Sequence, residues 1–238
     1  MKILAFETSA KSASVAVTEN GQVLASAYQC TGLTHSRTLM PMLEGMLNNS
    51  ELTLADMDRL AVAAGPGSFT GLRIGISAVK GLAFAAEKPC CAVSTLLAMA
   101  TPLAHMENAL ILCAMDARRQ QIYNAMFTAE KGRLVRQCPD RAVGLAEVAE
   151  EIKKNEKFCT LRKIIVGDGA ELCYDYLSEN GIVCELAPAP LLRQSAVGVA
   201  LAAEPESTVS AAELCPVYLR ISQAERERSA RLAKESQN

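Results

Sequence analysis

RLAVAAGPGSFTGLRIGISAVKGLAFAAE, Arg59 to Glu87, is the stretch on which the reading of this chain turns. Leu60 to Ala64 is an apolar run of strand length. Gly65-Pro66-Gly67-Ser68-Phe69-Thr70-Gly71 is a sharp turn, and Leu72 to Ala86 continues at helical spacing. A strand, a tight glycine turn and a helix present free backbone N–H groups at a helix N-terminus, where an anion can sit. Gly65 and Gly67 take positive φ at no steric cost, and Pro66 fixes the bend between them. The turn is not a P-loop, which needs Lys and then Ser or Thr after its last Gly; here Leu72-Arg73 follows Gly71. Nor is it a dinucleotide fingerprint, because Thr70 stands where that motif has its last Gly, counting from Gly65. A strand-to-helix corner with no ligand fits these rules as well as a nucleotide loop does.

Plotted at about 100° per residue, the helix after the turn has three sides. Gly71, Gly75, Ala78 and Ala85 share one, interrupted by Leu82. Leu72, Ile76, Val79, Ala83 and Ala86 form the adjacent apolar stripe, and Arg73, Ser77 and Lys80 gather on a third side with Phe84. Small residues let another backbone approach closely. Either a neighbouring element of the same domain or a partner subunit fits there.

The run A-A-G-P-G-S-F-T-G-L-R-I-G, Ala63 to Gly75, resembles the signature of the bacterial TsaB (YeaZ) family. That family is a non-catalytic relative of the TsaD/Kae1 enzymes in the actin-like ATPase superfamily. The resemblance implies an α/β fold of two lobes, the second reduced. Three further stretches agree with it: Glu7-Thr8-Ser9 near the start, Met115-Asp116-Ala117-Arg118 with Tyr123, and Pro216-Val217-Tyr218-Leu219-Arg220 near the end.

Composition bounds the function. The chain has 238 residues, half of them hydrophobic, with a formal net charge of −2. That balance is poor for gripping nucleic acid unaided, since neutralising phosphates takes clustered Lys and Arg. Nine Cys without a CxxC, most in apolar contexts (Cys113, Cys159, Cys173, Cys184), read as reduced thiols of a cytoplasmic protein, not as a disulfide framework or zinc site. No signal-peptide pattern opens the chain, and no window reads as a membrane span.

In order, Lys2 to Phe6, Ala13 to Thr18 and Gln22 to Gln29 read as strands, the last two joined by the hairpin signal Asn20-Gly21. The resemblance makes the first turn a phosphate contact through Thr8 and Ser9. Their hydroxyls suit local backbone bonds equally well. Thr34 to Asn48 is a helix with Thr34 as N-cap, Pro41 inside it and a face of Leu39, Met42, Leu43, Met46 and Leu47. His35 lacks a second His four residues on, where Leu39 stands, and the chain's other His, His105, lies in a different segment. A lone His builds no metal site, so none is expected.

Thr53 to Met57 reads as a helical turn, Cys90 to Val93 as a strand, and Ser94 as the cap of a helix through Leu103. A first lobe is expected over residues 1–104 and a reduced second lobe over 105–220. In the second, Ala109 to Met115, Gln121 to Phe127, Leu134 to Cys138, Lys163 to Val166 and Ile182 to Leu186 read as strands. Leu145 to Asn155 and Glu171 to Asn180 read as helices, and a helix from Arg193 to Ala203 is expected to return to the first lobe. Residues 221–238 read as a charged tail. By the resemblance, Asp116 and the turn Gly167-Asp168-Gly169 stand in the places that hold phosphate and adenosine in full ATPases of the superfamily, although the latter turn suits a plain strand–helix corner better. Candidate nucleotide contacts are therefore Thr8, Ser9, Gly65, Gly67, Ser68, Asp116, Gly167 and Gly169.

What the resemblance implies is a scaffold for threonylcarbamoylation of adenosine 37 in tRNAs reading codons that begin with A. Its expected partners are a TsaD-type catalytic subunit and a TsaE-type ATPase, with tRNA reached through the complex and ATP or ADP bound only within it. Alone, the chain is expected to pair with itself. The expected seam comprises His35, Leu39, Met42, Leu43 and Met46 with Gly71, Leu72, Gly75, Ile76, Ala78, Val79 and Leu82. No nucleophile–base pair stands out, and no catalytic residue is assigned. An active ATPase or sugar-kinase-like enzyme, a metallopeptidase, and a structural or cell-wall regulatory factor are the rival readings. A missing second glycine loop counts against the first, and a missing second His against the metallopeptidase.

Overall fold

The computed structural model of the chain describes residues 1–118, 120–203 and 207–220. β1 (Lys2–Glu7), β2 (Ala13–Glu19) and β3 (Gln22–Gln29) form an antiparallel meander. The β2–β3 turn carries Asn20 and Gly21 at φ of 50° and 79°, the left-handed pair that a two-residue hairpin requires. α1 (His35–Asn49) follows, then a 3-10 turn at Leu54–Asp56, β4 (Arg59–Gly65), α2 (Phe69–Ala86) and β5 (Cys90–Ser94). Among the described residues the first sheet has the order β3-β2-β1-β4-β5, with β4 parallel to both neighbours.

Alternation along these strands feeds two cores. Leu4, Phe6, Val15, Val17, Leu60 and Val62 pack under α1 and α2. Ile3, Ala5, Ala16, Ala61 and Ala63 face the other way. Those small side chains let α7 (Ala196–Ala203) lie close on the sheet. α3 (Thr95–Ala100), capped by Ser94 Oγ on Leu97 N–H, passes beside α7. A Cβ on Gly198 would stand 2.2 Å from Ala98 O, so only Gly fits that contact.

The second sheet comprises β6 (Ala109–Asp116), β7 (Gln121–Glu130), β8 (Arg133–Arg136), β9 (Arg141–Gly144), β10 (Arg162–Val166) and β11 (Glu185–Leu186). Its order is β11-β10-β6-β7-β8, with β9 also paired to β7. α4 (Leu145–Lys154), α5 (Glu156–Thr160) and α6 (Ala170–Glu179) contribute to the core on one face, and α3 covers the other. α3 therefore packs against both sheets, and α7 lies on the first, away from the second lobe's own helices.

Several boundaries differ from the sequence reading. α2 begins at Phe69, not Leu72, because Ser68 Oγ accepts from Gly71 N–H and starts the helix three residues earlier. The helix after Ser94 gives way to a 3-10 turn, Thr101–Leu103, which accommodates Pro102. α7 starts at Ala196, since Arg193 and Gln194 are bonded to the turn at Asp168. β9 and α5 have no counterpart in the sequence reading, both being too short for a period to show. Thr34 caps α1 without a side-chain bond. Cys159 is exposed and Cys184 only half-buried. α2 is long and apolar enough to cross a membrane by length and composition, contrary to the window reading, yet its apolar stripe lies on the first sheet. The expected tail, 221–238, lies outside the described residues.

Candidate functional site

Four turns and one terminal segment meet between the lobes. They enclose a cleft of about 490 Å³ lined by Ser9 and Lys11, by Pro66–Thr70, by Met115–Arg118, by Asp168, and by Val217–Arg220. Of the eight candidate nucleotide contacts, Ser9, Gly67, Ser68 and Asp116 face this cleft. Thr8, Gly65, Gly167 and Gly169 do not, and each has a nearer occupation. Thr8 is fully buried and donates its hydroxyl proton to Gly71 O at 2.8 Å. A Cβ on Gly65, at φ +134°, would stand 2.2 Å from Val217 O. One on Gly167 would stand 2.1 Å from Ala114 O, and one on Gly169 2.8 Å from Asp116 N. These glycines are required by the chain's own backbone.

Two of the lining residues, Ser9 and Asp168, are bonded to buried polar side chains that do not themselves line the cleft. Glu7 is fully buried, and its Oε1 accepts from Ser9 N–H. Its Oε2, Ser9 Oγ and Gln194 Oε1 are buried without a hydrogen-bond partner. Burial pushes the Glu7 carboxyl up to about 7; the Ser9 N–H bond opposes that shift and the Asp168 charge adds to it. Asp168, held by Gln194 Nε2 at 2.8 Å, is also raised by burial. His35 sits near the same turn, its Nε2 2.8 Å from Ala10 O. Among the described residues no cluster of His, Cys, Asp and Glu is arranged to hold a metal ion.

The place of the terminal segment at the cleft is what sequence reading missed. Val217 N–H donates to Ala64 O at 2.7 Å, extending the end of β4. Tyr218 stacks on Phe69 with ring centres 4.7 Å apart, and its hydroxyl accepts from Arg73 Nε at 3.1 Å. Arg220 Nη1 donates to Ala117 O at 2.6 Å, on the far side of the cleft. Phe69 and Arg73 belong to the central signature, and Tyr218 and Arg220 to the closing one. The pairing lies between two motifs that the sequence singles out, but nothing local tells which residues meet across 145 positions.

The second feature is the face that α1 and α2 turn away from the sheet. Leu39, Leu43, Met46, Gly71, Leu72, Gly75, Ile76 and Val79 are buried within the first lobe. The close approach at Gly71 and Gly75 is made by Thr8: a Cβ would stand 2.1 Å from its carbonyl oxygen and 2.4 Å from its Oγ1, respectively. His35, Met42, Ala78 and Leu82 are half-buried at the edge. Beyond them Met40, Gly45, Ser77, Gly81 and Phe84 are exposed, Phe84 to 83%. A Cβ on Gly45 or Gly81 would meet nothing within 4 Å. Neither glycine is required by the fold around it.

Comparison with known proteins agrees with this architecture. The tRNA N6-adenosine threonylcarbamoyltransferase (TsaD) family matches residues 29–212. EutJ of Carboxydothermus hydrogenoformans, 14% identical, superposes with a TM-score of 0.52 over 85% of this chain and 90% of that one. The fold is the two-lobed α/β type of the actin-like ATPases, on a chain related to the threonylcarbamoyltransferases. Within that class the relatives are more specific. The TsaB protein of Escherichia coli K12 is 34% identical over 77% of this chain and 78% of its own length. The TsaB protein of Bacillus subtilis 168 is 34% identical over 66% and 68%. YeaZ of Pseudomonas aeruginosa superposes with a TM-score of 0.75 at 27% identity, over 92% of this chain and 99% of that one. The chain belongs to the TsaB (YeaZ) family.

Proposed function

We propose that the chain is a non-catalytic scaffold for tRNA threonylcarbamoyladenosine formation, acting through a TsaD-type catalytic subunit. The relatives are named for that pathway. The observation that carries the scaffold role is the open face of α1 and α2. Gly in an exposed helix interior costs about 1 kcal/mol against Ala, and Gly45 and Gly81 both sit with free space beyond them. A close-packed partner backbone accounts for both glycines and covers Phe84.

The seam is drawn over Met40, Met42, Gly45, Ala78, Gly81, Leu82 and Phe84, while the buried set holds the two helices on the sheet. His35 lies at its rim. Without its partner, the same face pairs with a second copy, as an apolar patch of this kind favours. A TsaE-type ATPase joins the assembly, ATP or ADP binds within it, and tRNA is reached through the complex in the cytoplasm. Gly65, Gly167 and Gly169 serve the chain's own backbone, and this supports a scaffold over an independent ATPase.

Nucleoside mass spectrometry of tRNA from cells depleted of this protein tests the reading. Threonylcarbamoyladenosine falls on depletion and returns with the wild-type chain but not with Gly81→Trp. Unchanged modification after complete depletion overturns the proposed role.

A further inference from the structure

The segment Pro216–Arg220 crosses the mouth of the cleft, and its holds are few. On the first lobe they are the Val217 N–H bond to Ala64 O and the stack of Tyr218 on Phe69, locked by Arg73 Nε. On the second lobe the hold is the Arg220 bond to Ala117 O. Upstream, Leu214 is fully buried in the first core and Ser210 Oγ caps the turn on Glu213. Past that anchor Cys215 is exposed, Val217 is 53% exposed and Tyr218 39%. A segment with exposed side chains, held by a few bonds beside a buried anchor, opens locally without unfolding the domain.

The partner of Tyr218 makes this more than a loose end. Arg73 is exposed on α2, its guanidinium 3.8 Å from the Phe69 ring centre. It shares its side of the helix with Ser77, Lys80 and Phe84 by spacing. Lys80 Nζ in turn donates to Ala212 O, so the terminal stretch runs along this side of α2 before it reaches the cleft.

We propose that Pro216–Arg220 is a releasable latch tying α2 to the second lobe, and that a partner seated on α2 releases it through Arg73. The second half rests on the reading of α2 as a partner-facing helix. A carboxylate on the partner pairs with the planar guanidinium of Arg73 in bidentate fashion. That draws the cation from Phe69 and Tyr218 and removes the lock on the stack. The segment is then held to the first lobe by the Val217 bond to Ala64 O and to the second by the Arg220 bond to Ala117 O, while α3 keeps the lobes joined at the back.

The chain contains no Trp, so full-length Phe69→Trp places a single indole in the stack and keeps the Tyr218 hydroxyl that accepts from Arg73. Acrylamide quenching of that indole is low, and adding Arg73→Ala or Arg220→Ala raises it at least about threefold with cooperative melting retained. Saturation with a purified TsaD-type subunit, followed by calorimetry, gives the same rise. Hydrogen exchange at the Val217 amide of the wild-type chain accelerates in parallel, which reads release even where the partner shields the indole. An indole equally protected in both alanine variants overturns the latch. Heat of binding with no change in either readout overturns release by the partner while leaving α2 as the seam. Absence of binding overturns both the seam and the release.

Discussion

A Cβ at position 71 would stand 2.1 Å from the carbonyl oxygen of Thr8, and Thr8 Oγ1 already bonds Gly71 O. The first turn of the chain and the first turn of α2 are thus in backbone contact, and the glycine signature is the condition for it. Gly71→Ala must push β1 from α2, since the obstructing atom is backbone. A small-to-large change in such a contact costs about 1–3 kcal/mol, beyond the roughly 1 kcal/mol of helix propensity that Ala gains. Because the 2.1 Å overlap is with backbone, the cost lies at the upper end of that range, and urea denaturation of Gly71→Ala is expected to show a net loss of about 2 kcal/mol. A midpoint equal to wild type would place the turns further apart than the structure does.

Gly81 makes the opposite prediction in the same helix. Nothing lies within 4 Å of its missing Cβ. Gly81→Ala therefore stabilises the isolated chain by about 1 kcal/mol, through propensity alone. Gly45→Ala behaves alike. Both stabilised variants bind the TsaD-type partner more weakly by calorimetry. A gain in stability with unchanged partner affinity would leave the two glycines without the role proposed for them.

These two glycines show where the sequence is legible and where it is not. The strand, turn and helix around Gly65 follow from local rules, as does the hairpin at Asn20-Gly21. Spacing also puts Gly71 and Gly75 on one side of α2, but it does not say which backbone comes near. Thr8, 63 residues away, makes that approach, and the nearer glycine without such a neighbour is Gly81. Half of the candidate nucleotide contacts lie off the cleft for the same reason. Gly167 and Gly169 pack on Ala114 and Asp116, a pairing fixed by the parallel register of β6 and β10 rather than by anything in the Gly-Asp-Gly turn. Glu7 reads in sequence as part of a polar turn, whereas it ends a buried strand, and only tertiary burial shifts its carboxyl.

That shift sets a pH dependence. Glu7 titrates near 7 in the folded chain and near 4.5 in its ordinary state. Between these values the folded chain holds a proton that the unfolded chain has released, so stability falls as pH rises from about 4.5 to 7 and levels off above. The full effect is about 3 kcal/mol as an order of magnitude. Asp168, also raised by burial, adds to the same slope, while the lowered Asp56, Glu130 and Glu213 act with opposite sign at lower pH. Glu7→Gln keeps the oxygen that accepts from Ser9 N–H and removes the titration. Its denaturation midpoint is expected to exceed that of wild type at pH 8 and to vary less between pH 5 and 8. Parallel pH profiles for the two proteins would show that Glu7 is not the titrating group.

Phe84 tests the seam without disturbing the fold. Its ring is 83% exposed, and the buried stripe of α2, Leu72, Ile76, Val79 and Ala83, faces the other way. Phe84→Asp therefore changes stability by no more than about 0.5 kcal/mol, the usual range for a surface site. An exposed aromatic that becomes a buried anchor in a complex carries about 2 kcal/mol or more, so affinity for the TsaD-type partner drops at least about 30-fold. Lys80→Ala provides the contrast, because its ammonium is engaged with Ala212 O in the chain itself. It is expected to loosen the terminal stretch and leave partner affinity within about threefold of wild type. Equal losses at both positions would move the contact from the Phe84 side of α2 onto the terminal segment.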